Sequence, residues 1–211
     1  MFIMNREIEE VQDMERKEIG NSGSVLYEQN SSHCIVLLPG FGYLFDRPLL
    51  AEMKELALQK GFNVLELSFG DLPYDKTKMK ESVAACVPLA AARAKATLEQ
   101  LTPMQFHFVA KSFGTIIACM LRESYTNQPA VLLTPLKQTI PLIQTKDIIA
   151  YGDEDLFLDE EDLSALSMLD CKTKIFCPGA NHSLLHASQG LSAFYLADVK
   201  DEMQRFLDEI S

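Results

Sequence analysis

The run Ala110-Lys111-Ser112-Phe113-Gly114 sets a serine between two small residues where a strand pattern gives way to a helical one. Gln105-Phe106-His107-Phe108-Val109 is aromatic and β-branched and reads as a buried strand of a parallel sheet. From Thr115 to Arg122, residues Ile116, Ile117, Met120 and Leu121 recur at helical spacing. A hydroxyl presented on so sharp a strand-to-helix turn needs little or no side chain two positions before and two after it, which Ala110 and Gly114 supply. This is the sequence form of a nucleophile elbow. A serine hydroxyl attacks poorly at neutral pH, so the chemistry also needs a histidine to take its proton and an acid to hold the histidine's tautomer.

The place to find both is set by the sheet. Reacting groups of an open parallel sheet gather at the carboxyl ends of its strands, so the partners belong in loops that follow later strands. Ile148-Ile149-Ala150-Tyr151 runs into Gly152-Asp153-Glu154-Asp155, and Ile175-Phe176-Cys177 runs into Pro178-Gly179-Ala180-Asn181-His182. Ser, Asp, His is the chain order such a site uses. Asp153 and Asp155 share one short loop, and its geometry is not set by the residues alone. Other candidates fit less well. Ser68-Phe69-Gly70 repeats the Ser-Phe-Gly of the elbow but has Glu66 two residues before the serine and Asp71-Leu72-Pro73 after it. Ser22 sits in a polar turn. His186 is expected four residues into a helix, and His33 and His107 precede the acid loop and read as structural.

Several elements must position these groups. Gly20 to Ser24 reads as the turn of an N-terminal antiparallel hairpin, with Glu7–Val11 and Val25–Tyr27 as its strands. Cys34–Leu38 is a continuous apolar strand ending in Pro39-Gly40-Phe41-Gly42. Asp46-Arg47-Pro48 opens a helix that Gly61 closes. Phe62–Leu67 is a strand, and residues from about Thr77 to Leu101 are helical, with Pro88 expected to kink or divide them. Ala130–Leu133, Asp147–Tyr151 and Lys174–Cys177 are further short strands, and about Leu191 to Ile210 is a final amphipathic helix. Alternating strands and helices call for an α/β domain with a mostly parallel sheet covered on both faces.

Composition removes several classes of function. The 211 residues suit one domain spanning 1–211. With 19 basic and 30 acidic residues the net charge is -11, which opposes binding to nucleic acid or to an anionic membrane. The start of the chain shows no secretory pattern, and no apolar run reaches the roughly 18 residues of a transmembrane helix. Five cysteines without a C-x-x-C pair suit reduced thiols in a cytoplasm. Seven of the ten residues from Asp153 to Asp162 are acidic, yet an EF-hand would need a glycine at its sixth position and a glutamate where Ser164 stands, so a helix N-terminus at Asp159–Asp162 accounts for them better.

Taken together, the chain resembles the α/β-hydrolase family. Cys34–Gly42 is similar to that family's third strand and oxyanion loop, Ala110–Gly114 to its elbow, Gly152–Asp155 to its acid loop and Ala180–Ser183 to its histidine loop. The resemblance implies Ser112 as nucleophile, Asp155 as acid and His182 as general base, with family spacing favouring Asp155 over Asp153. It implies an oxyanion hole built from the backbone N–H groups of Phe41 and Phe113. Ala110 and Pro39 depart from the family's commoner glycine and histidine. Lys111, beside the nucleophile, could be solvated, pair with an acid or influence the charge of the site. The short path from Ser112 to Asp155 leaves no room for a large cap domain. On the predicted site loops, Tyr43, Leu44, Phe69, Leu156 and Phe157 are expected to line an apolar pocket or pack the core. The expected activity is cleavage of a carboxylic ester, thioester or related acyl bond in a small molecule, without cofactor or metal. A catalytically idle scaffold that binds a ligand or protein, and an acyltransferase using the same triad, are the alternatives. The oligomeric state stays open.

Overall fold

The computed structural model of the chain describes residues 14–101 and 103–211. Eight strands form one sheet: β1 (Glu15–Ile19), β2 (Ser24–Glu28), β3 (His33–Leu38), β4 (Asn63–Glu66), β5 (Gln105–Lys111), β6 (Val131–Leu133), β7 (Ile148–Gly152) and β8 (Thr173–Cys177). Their spatial order is β1-β2-β4-β3-β5-β6-β7-β8, with β1 and β2 antiparallel and β3 to β8 parallel. The order reverses at β3, whose neighbours are β4 on one side and β5 on the other. The loops that leave β3 and β5 therefore part from a common crevice at the carboxyl edge, where open α/β sheets bind ligands.

The helices cover both faces. On one lie α1 (Pro48–Gln59) and α5 (Gln189–Ile210), which close over Ile35, Leu37, Val64, Val109 and Ile148. On the other lie α2 (Met79–Leu98), α3 (Phe113–Tyr125) and α4 (Glu160–Met168), which close over Val36, Leu38, Leu65, Phe108 and Leu132. Alternate residues of β3 thus feed two separate cores, which is why its sequence is apolar at nearly every position. The local signals act as expected at α1, where Pro48 opens the helix. They do so again at α4, where Asp159 and Asp162 form a reciprocal capping box.

Three expectations need correction or limits. The hairpin turn lies where the glycines place it, but the strand that precedes it is Glu15–Ile19; Glu7–Val11 lies outside the described residues. Pro88 does not divide its helix: α2 runs through it unbroken, since one missing N–H is tolerated where neighbouring turns and the apolar face against the sheet hold the rest. His186 precedes α5, in an irregular loop. Between β6 and β7 the chain makes only a short 3-10 turn at Ile140–Leu142, so the path from Ser112 to Asp155 holds α3, β6, that turn and β7, with no cap. No helix among the described residues is long and apolar enough to cross a membrane.

Candidate active site

Ser112 joins β5 to α3 with φ 55° and ψ -120°, a left-handed conformation that strains any residue with a Cβ. The flanks explain how it is held. A Cβ on Gly114 would stand 2.4 Å from the carbonyl oxygen of Leu38, so β3 and α3 could not approach this closely with any larger residue there. Gly40 approaches from the other side, where a Cβ would lie 2.9 Å from that of Ser112. The Ser112 N–H donates to the Leu133 carbonyl at 2.9 Å, which ties the elbow to the end of β6. At the far end of α3 the buried Arg122 donates to both carboxylate oxygens of Asp147, at 2.7 and 2.6 Å. Asp147 also accepts from the N–H groups of Ala130 and Gln144, so the helix behind the serine is anchored to the loops that enter β6 and β7.

The loops after β7 and β8 bring two further groups to the serine. His182 Nε2 lies 2.7 Å from Ser112 Oγ, and His182 Nδ1 lies 2.6 Å from Asp155 Oδ2. With the ring proton on Nδ1 donating to the carboxylate, Nε2 is free to accept from the serine hydroxyl. Asp155 is buried and its other oxygen accepts from the Phe157 N–H at 3.0 Å, which fixes the carboxylate's orientation. Asp153 is exposed and instead accepts from the Gly179 N–H at 2.5 Å, bracing the histidine loop. The neighbouring acids divide in function: one faces the imidazole and the other holds the backbone that carries it. Burial lowers the His182 pKa, the Asp155 hydrogen bond opposes that shift, and the charge on Lys111 adds to it. Phe157 packs edge-on to the imidazole at 4.4 Å between ring centroids.

Ser112 is 8 % exposed, so its hydroxyl is reached from one side only. The Phe113 N–H is the first of α3 and has no intrahelical acceptor. The Phe41 N–H has no protein acceptor among the described residues. Its side chain is clamped between Tyr74 and Phe113, at centroid distances of 3.9 and 4.1 Å.

No family model matches this sequence, and no curated protein matches it. Solved structures do. Est1E from Butyrivibrio proteoclasticus is 13 % identical over 92 % of this chain and 98 % of its own, with a TM-score of 0.63. A putative α/β hydrolase from Agrobacterium tumefaciens is 17 % identical over 93 % and 97 %, with a TM-score of 0.59. A lidless α/β serine hydrolase from Xanthomonas campestris is 11 % identical over 93 % and 94 %, again at 0.59. The chain has the α/β-hydrolase fold.

Within that fold the residues expected to line a pocket take different places. Phe69 turns into the core and packs edge-on to Phe113 at 5.5 Å. Leu156 is 94 % exposed and points away from the protein, while Leu44 is exposed on the loop after β3. Tyr43 is half-buried and borders a groove of about 270 Å³ with Gly42, Arg47, Pro48, Ser183 and Leu185. Arg47, Ser183 and Leu185 were not among the expected site residues. Ser183 follows His182 directly, which is a usable signal, but nothing in the local sequence brings Arg47 to the same groove. Lys111 is 1 % exposed, and its ammonium lies 4.6 Å from the centre of the Tyr43 ring. The lysine is therefore not solvated, and it makes no ion pair among the described residues.

Proposed function

We propose that the protein is a serine hydrolase that cleaves a carboxylic ester, thioester or related acyl bond through an acyl-enzyme on Ser112. The observation that carries this reading is the hydrogen-bonded chain from Ser112 through His182 to the buried Asp155, set on a strained elbow. In the first step His182 Nε2 takes the hydroxyl proton as Ser112 Oγ bonds to the acyl carbon, and Asp155 stabilises the imidazolium that forms. The N–H groups of Phe113 and Phe41 receive the oxyanion of the tetrahedral intermediate. Collapse of that intermediate expels the alcohol or thiol, which leaves with the proton from His182. Water then repeats the sequence on the acyl-enzyme and restores the serine.

A small acyl substrate suits an open site without a cap. Est1E has been seen with ferulic acid bound, which supports a search that begins with esters of small carboxylic acids. The triad chemistry needs no cofactor or metal. Five free cysteines, four of them buried, favour a reducing compartment, and we place the reaction in the cytoplasm.

The test is covalent labelling with a fluorophosphonate probe, followed by p-nitrophenyl esters of increasing acyl length. The intact protein should label, and Ser112→Ala should remain unlabelled and lose at least about a thousandfold in turnover. A folded intact protein that stays unlabelled would mean an idle scaffold. Equal labelling of Ser112→Ala would place the reactive group elsewhere. Competing alcohols added to the ester assay separate water from another acceptor.

A further inference from the structure

Lys111 is the last residue of β5, one position before the serine. Side chains alternate along β5, with Phe106, Phe108 and Ala110 entering the core under α2 and α3. Val109 faces the opposite core, as does His107, which meets Phe206 of α5. Lys111 follows that second series and ends beneath Tyr43. Tyr43 belongs to the loop after β3, which folds back on itself through an N–H to carbonyl contact from Tyr43 to Gly40 at 3.4 Å. The Tyr43 hydroxyl accepts from the Leu49 N–H of α1 at 3.1 Å. The loop that carries the Phe41 N–H is thus pinned by two side chains on opposite faces of the sheet. Phe41 is held by aromatic rings, whereas Tyr43 is held by α1 and by a buried ammonium.

Resting on the Ser112 reading, we propose that Lys111 is a positioning residue whose ammonium holds Tyr43, and with it the Phe41 N–H, in place for the oxyanion. The enzyme then works in a window bounded below by protonation of His182 and above by loss of the Lys111 proton. The charged groups acting on these two are few. Asp155, from the loop after β7, acts on both, Lys111 acts on His182, and Arg47 at the start of α1 bears on Tyr43. Burial pushes the Lys111 pKa down to about 7, against a weaker upward pull from Asp155, so the upper bound falls near neutrality. An amine without its proton has no charge to offer the face of the Tyr43 ring.

Two measurements on the whole protein test this, one of which does not require turnover. In NMR titrations of the resting protein, the Tyr43 ring signals should move with a midpoint near 7 as Lys111 titrates. Lys111→Met should abolish that movement. In ester turnover, the wild type should lose kcat on the alkaline side, and Lys111→Met should lower kcat about tenfold with little change in KM while removing that alkaline loss. Lys111→Arg, which keeps its charge at all these pH values, should carry the alkaline loss well upward. Flat Tyr43 signals through neutrality, or an alkaline loss of kcat that persists in Lys111→Met, would overturn the proposal and leave Lys111 as a space-filling residue. The Tyr43 titration in the wild type stands even if the variants do not fold. Failure of the Ser112 reading is seen separately, in probe labelling.

Discussion

The two faces of β5 end beneath the same serine but are built from different chemistry. Toward α2 and α3 the strand presents Phe106, Phe108 and Ala110, and the core continues through Phe113 into the stacked rings of Phe41 and Tyr74. Toward α1 and α5 it presents His107 and Lys111, both almost wholly enclosed. His107 meets His33 at 3.0 Å between ring nitrogens, and its remaining Nδ1 has no partner among the described residues. Burial, and less strongly the neighbouring His33, lowers the His107 pKa to about 4. Near the elbow the first face is packed chiefly from apolar and aromatic side chains. The second carries two bases that resist protonation, so dependence on pH should enter the protein through that face.

The largest expected effect lies on the apolar side. Phe113→Ala removes a fully buried ring that touches both Phe41 and Phe69, and should cost about 4 kcal/mol in urea unfolding at any pH where the protein is folded. A loss under about 1 kcal/mol would mean that the rings rearrange and that this face is not the rigid one.

On the other face the sign reverses. The buried Lys111 has a pKa of about 7 against an ordinary 10.5, so the folded state binds its proton less readily than the unfolded chain. That burden is full below pH 7 and fades as pH rises toward 10.5. Lys111→Met should therefore raise the unfolding free energy at neutral pH by about 3 kcal/mol, even as it lowers turnover. The gain should shrink in alkaline buffer, and a variant less stable at pH 7 would show that the ammonium is favourably solvated.

The smallest effect belongs to His107. Its pKa of about 4 against an ordinary 6.5 means that its contribution to stability is present above pH 6.5 and drains away as pH falls to about 4. His107→Phe should flatten that acid loss by about 2 kcal/mol, measured as unfolding midpoints across the interval. Parallel curves for wild type and variant would remove His107 from the pH-sensitive face.

Much of this arrangement was legible in the residues. The elbow could be read because a strained turn excludes large side chains locally, and Ala110 and Gly114 answer that exclusion within five positions. The strands of the parallel sheet could be read because burial on both faces demands unbroken apolar runs such as Cys34–Leu38. The hairpin strand before Gly20 was harder to place. Glu15–Ile19 is charged at four of its five positions and edges the sheet, so little burial marks its sequence. Phe69 offered no clue to its direction, since an aromatic ring on a site loop satisfies a pocket and a core equally well.

Legible in the chain alone were the order of strands and helices, the sharp turn at Ser112, and the loops in which an acid and a histidine would follow. These depend on residue type and spacing over a few positions, where period, burial and backbone freedom act directly. Packing of distant segments sets the rest: Asp155 faces the imidazole while Asp153 braces Gly179, Arg47 shares a groove with Ser183, and Lys111 lies dry beneath Tyr43. Each of those outcomes turns on an ångström-scale approach between segments far apart in the chain, set by how the two cores pack against the sheet.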